Sequence, residues 1–356
     1  MKPNIKDLSF GELIAFLAER KQPAYRARQI WQWLFQKRAA AFAEMTNLSR
    51  GLRDGLAESF SISRLAGLQR AQSRDGTVKF LFGLNDGASI ESVLIPESRR
   101  LTLCLSTQAG CGFGCAFCAT AVLGLKRNLT ASEIADQIIE ANRTLPENER
   151  ITHVVLMGMG EPLANYANTL RAVEIMTDGD WGMGISPRRV TLSTVGLVPQ
   201  IKKFMELTRV NLAVSLHAPN EELRGALLPV NRKYPLKELL DCCRALPIAR
   251  RKRITFEYVL LRGVNDSEQD ARQLAKILQG IPSKVNLIPF NPHPGSKFQR
   301  PSSEAIQRFQ NILQDQGVQT NVRRPRGDDI QAACGQLQGE HTGRLRRDRR
   351  SAAQAV

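Results

Sequence analysis

From residue 101 onward, apolar runs of strand length alternate with amphipathic segments of helical period, and this alternation restricts the possible folds more than any other feature of the chain. The runs are LTLCLST, HVVLMG, RVTLST, NLAVSL, ITFEYVLL and KVNLIPF. The helical segments include ASEIADQIIEANR, YANTLRAVEIM, PLKELLDCCRAL, SEQDARQLAKIL and SSEAIQRFQNILQDQG. Strands joined by crossover helices run parallel, so six such strands predict an α/β fold built as an open or partial (β/α)6 barrel. Chemistry in these folds collects at the carboxyl ends of the strands. Polar motifs stand there in this chain: Met159-Gly160-Glu161-Pro162 after HVVLMG, Ser193-Thr194-Val195-Gly196 after VTL, His217-Ala218 after NLAVSL, and Asn291-Pro292 after NLIPF.

Upstream the pattern differs. Residues 9 to 62 read as amphipathic helices, with Ile30, Trp33 and Leu34 at helical spacing among basic residues, and the tryptophans are read as core. Residues 77 to 107 read as short strands, TVKFLFGL and SIESVLIP flanking an Asn-Asp-Gly turn. The expected organisation is a helical module over 1–65, a β-hairpin extension over 66–98, the barrel over 99–338 and a disordered basic tail over 339–356.

Fifty Lys and Arg against 34 Asp and Glu leave a net charge of +16, which favours a polyanionic partner, nucleic acid first. No run approaches a membrane span and the first residues lack a signal-peptide pattern, so a cytoplasmic protein is expected. In that reducing compartment the seven cysteines are better read as metal or catalytic groups than as structural disulfides.

Cys111, Cys115 and Cys118 form C-x3-C-x2-C in the segment GCGFGCAFC, directly after the first barrel strand. Three thiolates can hold three irons of a [4Fe–4S] cluster and leave the fourth open to a ligand. The residues alone leave two alternatives, a structural zinc site and an electron-transfer cluster, though each would ask for a fourth ligand. Cys242 and Cys243 lie in an amphipathic helix and are assigned to packing; His153, His293 and His341 receive no role.

This spacing in this setting resembles the radical S-adenosylmethionine (SAM) superfamily. IESVLIPE, CLSTQAGCGFGCAFCAT, LKRNLT, VLMGMGEPLANY, LSTVGLVP, LAVSLHA, LIPFNPHPGS and RGDDIQAACGQL together resemble the RlmN-type radical-SAM RNA adenine methyltransferases, over roughly residues 80 to 340. The resemblance implies a [4Fe–4S] cluster on Cys111, Cys115 and Cys118, and SAM contacts from Gly160, Glu161, Ser193, Ser215, Leu216, His217 and Asn291. It further implies methylation of adenine C2 in 23S rRNA and in tRNA, with two SAM consumed: one methylates a cysteine, and the other yields a 5′-deoxyadenosyl radical that activates the thiomethyl group. By motif Cys334 is the carrier, Cys104 the thiol that resolves the adduct by forming a disulfide, and Glu91 the base for the C2 proton. A flavodoxin-type electron donor and a monomeric state complete the expectation. A Cfr-type relative acting on C8 is the nearest alternative.

Overall fold

The computed structural model describes residues 2–98, 100–249 and 252–339. Three helices open the chain, α1 (Phe10–Glu19), α2 (Tyr25–Trp31) and α3 (Arg50–Ser59). Strands β1 (Ala66–Gln72), β2 (Val78–Gly83), β3 (Ser89–Glu97), β4 (Arg100–Cys104), β5 (Gln108–Gly110) and β6 (Leu125–Asn128) follow, with the short helix α4 (Ala119–Val122) between the last two. The chain then alternates: α5 (Ala131–Asn142), β7 (His153–Leu156), α6 (Tyr166–Thr177), β8 (Val190–Thr194), α7 (Val198–Leu207), β9 (Asn211–Ser215), α8 (Glu221–Leu227), α9 (Leu236–Ala245), β10 (Ile254–Leu260), α10 (Glu268–Ile277), β11 (Ser283–Pro289), α11 (Ser303–Asp315) and β12 (Thr320–Val322).

Among these residues ten strands form one sheet in the order β1-β2-β3-β4-β7-β8-β9-β10-β11-β12. Pairing is antiparallel from β1 to β4 and parallel from β4 to β12. The six expected parallel strands are β4, β7, β8, β9, β10 and β11, and the short β12 joins them at the edge. The extension is a three-stranded meander rather than a hairpin alone, because β1, polar and mostly exposed, also pairs with β2. β10 is buried at every position, as a strand covered on both faces must be. Capping boxes at Thr130/Glu133 and Ser267/Asp270 start α5 and α10 by satisfying their free amides.

The N-terminal helices enclose their own apolar cluster, which extends to Ala135 and Ile139 of α5 and Ile175 of α6. Trp31 is buried in it, edge-on to Trp181 at 4.4 Å, as a core reading of the tryptophans requires. Trp33 is half-buried beneath the Lys37 ammonium. Two ion pairs fasten this module to α5: buried Lys6 on Asp136 at 2.6 Å, and Arg64 on both oxygens of Glu140 at 2.9 Å.

After β12 the chain returns across the meander as a strap, residues 323 to 339. The Gly327 amide donates to Asp75, Ser73 donates to Asp329, and Lys79 donates to the Gln331 carbonyl. Of the segment 339–356, expected as a disordered arm, Gly339 belongs to the strap, its amide donating to Glu91 at 3.1 Å, and residues 340–356, His341 among them, lie outside the described residues. No described helix is long and apolar enough to cross a membrane.

Candidate active site

β5 and β6 form a small separate hairpin. The loop that carries the three cysteines leaves β5 at Gly110, where a side chain has no room: φ is +80° and an added Cβ would stand 1.9 Å from the Gly124 carbonyl oxygen. The Cys111 amide donates to that same oxygen, the Ala116 amide to Leu227, and the Ala119 amide to Gly335 of the strap. The loop is thus tied to the hairpin, to α8 and to the strap. Cys111, Cys115 and Cys118 line one cavity of about 950 Å³, part of it open to solvent, at the carboxyl ends of the barrel strands. Burial pushes the Cys111 thiol up to about 11 and the other two upward as well, and the neighbouring thiols add to the effect for Cys111 and Cys115.

Across the cavity stands Glu161, 2% exposed. Its carboxylate accepts from the Leu163 and Val195 amides at 3.0 and 2.8 Å. Burial nevertheless drives it up to about 7. Gly160, at φ +96°, lets this turn pass Gln108, whose side-chain carbonyl accepts from the Glu161 amide at 2.8 Å. Ser193, Ser215 and His217 also line the cavity. His217 Nδ1 accepts from the Val259 amide at 2.9 Å, so its neutral tautomer carries the proton on Nε2.

The other expected residues are placed differently. Leu216 is buried in the core and does not wall the cavity. Asn291 does not wall it either; its amide donates to the Cys334 carbonyl at 3.1 Å and its oxygen accepts from Arg300 at 2.7 Å, so the side chain holds the strap. Glu91 likewise faces the strap. One oxygen pairs with Lys79 at 2.9 Å and the other accepts from the Gln338 and Gly339 amides at 2.7 and 3.1 Å.

Cys334, exposed on the strap, lines the cavity together with the three loop cysteines. Cys104, buried at the end of β4, is pushed up to about 12 by burial, with the Cys334 thiol adding to it. The Arg323 guanidinium answers both: Cys334 first, then Glu257 and Cys104, hold its charge in place. Arg323, Glu257 and Gln108 escaped the sequence reading, as did Arg224, fully buried and donating to the Val195 carbonyl and Asn231 at 2.7 Å. Gln108 lies inside the quoted cysteine segment without having been given a role, and the other three lie in no motif with a distinctive spacing.

The donor set fits a multi-iron cluster. The three thiols wall one cavity, as ligands to different irons of one cluster do. Three thiols with a buried carboxylate and hydroxyls opposite leave a place for a ligand carrying both amine and carboxylate. A partial barrel with this loop after its first strand and a Gly-Glu-Pro turn after its second defines a radical-SAM enzyme.

Comparison with known proteins agrees. Residues 105–275 match the Radical SAM superfamily and residues 3–62 match the ribosomal RNA large subunit methyltransferase N-terminal domain. The chain is 52% identical over 333 residues to the dual-specificity RNA methyltransferase RlmN of Desulfosudis oleivorans, covering 94% of this chain and 90% of the relative. It is 51% identical to that of Geobacter sulfurreducens, covering 95% and 92%. A crystal structure of a radical SAM methyltransferase from Sphaerobacter thermophilus superposes with a TM-score of 0.89 at 47% identity, covering 95% of this chain and all of that one. The chain belongs to the RlmN family, and its cofactors are a [4Fe–4S] cluster and SAM.

Proposed function

We propose that this enzyme methylates C2 of an adenine in 23S rRNA and in a tRNA anticodon loop, by way of a methyl group carried on Cys334. The observation that carries this reading is that a fourth thiol, Cys334 of the strap, lines the cavity walled by Cys111, Cys115 and Cys118, with buried Cys104 of the first barrel strand near enough to feel its charge. A cluster-binding protein of another kind would need no second pair.

Cys111, Cys115 and Cys118 would hold the cluster, with Gly160, Glu161, Ser193, Ser215 and His217 around the SAM. When bound, these cofactors supply an electrophilic methyl group and a radical that can take hydrogen from an unactivated C–H bond. Such chemistry is needed because adenine C2, between two ring nitrogens, is a poor nucleophile. Cys334 accepts the methyl group as its thiol proton leaves, with the Arg323 guanidinium nearby. Once the carbon is joined to the base, Cys104 attacks the Cys334 sulfur. The S–C bond breaks, its electron pair stays on the carbon and takes up a proton, and a disulfide is left. That disulfide needs two electrons and two protons before the next turnover, for which a flavodoxin-type donor is suited. Glu91 holds the strap in this arrangement, and its use as the base for the C2 proton requires that Gln338 and Gly339 release it. We place this work in the cytoplasm, where the RNA is, and expect a monomer.

The two thiols act at successive steps, and this is the test. Cys334→Ala should give neither product nor RNA adduct. Cys104→Ala should accumulate protein joined to RNA through Cys334, a denaturation-resistant band that ribonuclease shortens. The wild-type product should be 2-methyladenosine by nucleoside mass spectrometry. Normal turnover by Cys104→Ala, or methyl transfer by Cys334→Ala, would overturn the assignment; 8-methyladenosine would move the target carbon.

A further inference from the structure

The barrel has a second mouth. A further cavity opens at the amino ends of the strands, where inward-facing Thr102, His153, Thr191, Thr255 and Asn286 make its wall polar. It shares Met157, Glu257 and Arg323 with the cysteine-lined cavity, so these side chains lie at the boundary of the two.

Its rim is strongly basic. The side chains of Arg188, Arg189, Lys284 and Arg324 have no hydrogen bond or ion pair among the described residues, whereas those of Arg100 and Arg326 are matched by Glu97 and Asp75. The unmatched cations affect their neighbours. Burial and then Arg100 and Arg189 lower the His153 imidazole, and burial, Arg188 and Arg209 lower Lys252. Like charges gathered on one rim work against the fold unless an anion answers them. Inside, at the junction, Glu257 is 4% exposed; Asn286 donates to its Oε1 at 2.9 Å, while its Oε2 has no hydrogen-bond donor and only the Arg323 guanidinium at 3.8 Å. A buried carboxylate oxygen with a guanidinium only at ion-pair range has room for a closer N–H donor from a ligand.

We propose that RNA docks on this amino-end rim, with phosphates beside the target nucleotide held by Arg188, Arg189, Lys284 and Arg324, and that the base enters the barrel from this side towards Cys334. The proposal rests on the RNA-methyltransferase reading and deepens it: phosphates supply the anions, and the exocyclic amine of an entering adenine supplies a donor for Glu257 Oε2. A nucleotide so placed has left its stack, as enzymes acting on base carbons require.

The test uses the full-length, cluster-loaded enzyme and a transcript of a 23S rRNA fragment, on which wild-type methylation is assayed first. RNA affinity is measured from low to high salt for the wild type, for R188Q/R189Q/R324Q and for R28Q/K37Q/R50Q in the N-terminal module. Melting temperature and iron content verify the fold of each variant. The rim variant should bind at least tenfold more weakly at low salt, and its slope of log affinity against log salt should shrink by about 2 to 3, as three lost phosphate contacts require. An unchanged slope and affinity in the rim variant, or a loss confined to the N-terminal variant, would overturn the rim while leaving the reaction intact. A wild type that methylates no RNA would remove the underlying reading as well.

Discussion

His217 occupies a backbone conformation that few side chains adopt, φ +59°, and is 5% exposed. Burial, aided by Arg224, drives its imidazole down to about 3, so it is neutral in the fold. The sign follows from linkage. Below about 6.5 the unfolded chain takes up a proton that the folded chain refuses until about 3, so stability is present above 6.5 and is lost as pH falls towards 3. From pH 7 to pH 4 this one group should cost about 3 kcal/mol. His217→Asn keeps an acceptor for the Val259 amide and tolerates positive φ. Denaturant unfolding at pH 7, 5 and 4 should show a shallower acid decline in the variant; an equal decline would assign the loss to other groups. The sequence marked His217 through its motif, yet its pairing with Val259 was invisible because that partner comes from another strand. The same holds for Asn291 and Glu91, whose motifs were readable although the strap amides and carbonyl they bind follow from tertiary packing alone.

At the scale of single elements, the alternation of barrel strands and helices was legible because each period is local and strongly apolar. β5, β6 and β12 were not, since three or four residues of mixed polarity carry no period. Yet the β5–β6 hairpin sets the exit angle of the cysteine loop, and Gly110 is its tightest point. Gly110→Ala forces a Cβ onto a backbone oxygen and demands a positive φ of a residue that resists it. We expect a loss of about 3 kcal/mol and much less iron per chain and visible absorbance, with far-ultraviolet dichroism little changed. Gly179→Ala, which meets open space, should leave all three as they are. Full iron loading of Gly110→Ala would show that the hairpin does not shape the loop.

For the molecule as a whole, the N-terminal helices were readable as a module, but their fastening to α5 was not, because Lys6 and Asp136 are far apart in sequence and each looks like an ordinary surface charge. Removing one partner of this buried pair leaves the other charge stranded. Lys6→Met should cost roughly 3 to 5 kcal/mol, whereas Lys6→Met with Asp136→Leu should recover most of it. Chemical denaturation of the three proteins decides; equal losses in the single and double variants would mean that the pair is not coupled. The strap has another consequence. Glu91 and Gln338, hydrogen-bonded in the fold, are 247 positions apart. During synthesis the loop bearing Cys111, Cys115 and Cys118 leaves the ribosome long before Cys334 does. A growing chain therefore exposes its cysteine loop well before the strap residue that the Ala119 amide binds, and the loop reaches its final tethering only once residue 335 has been made.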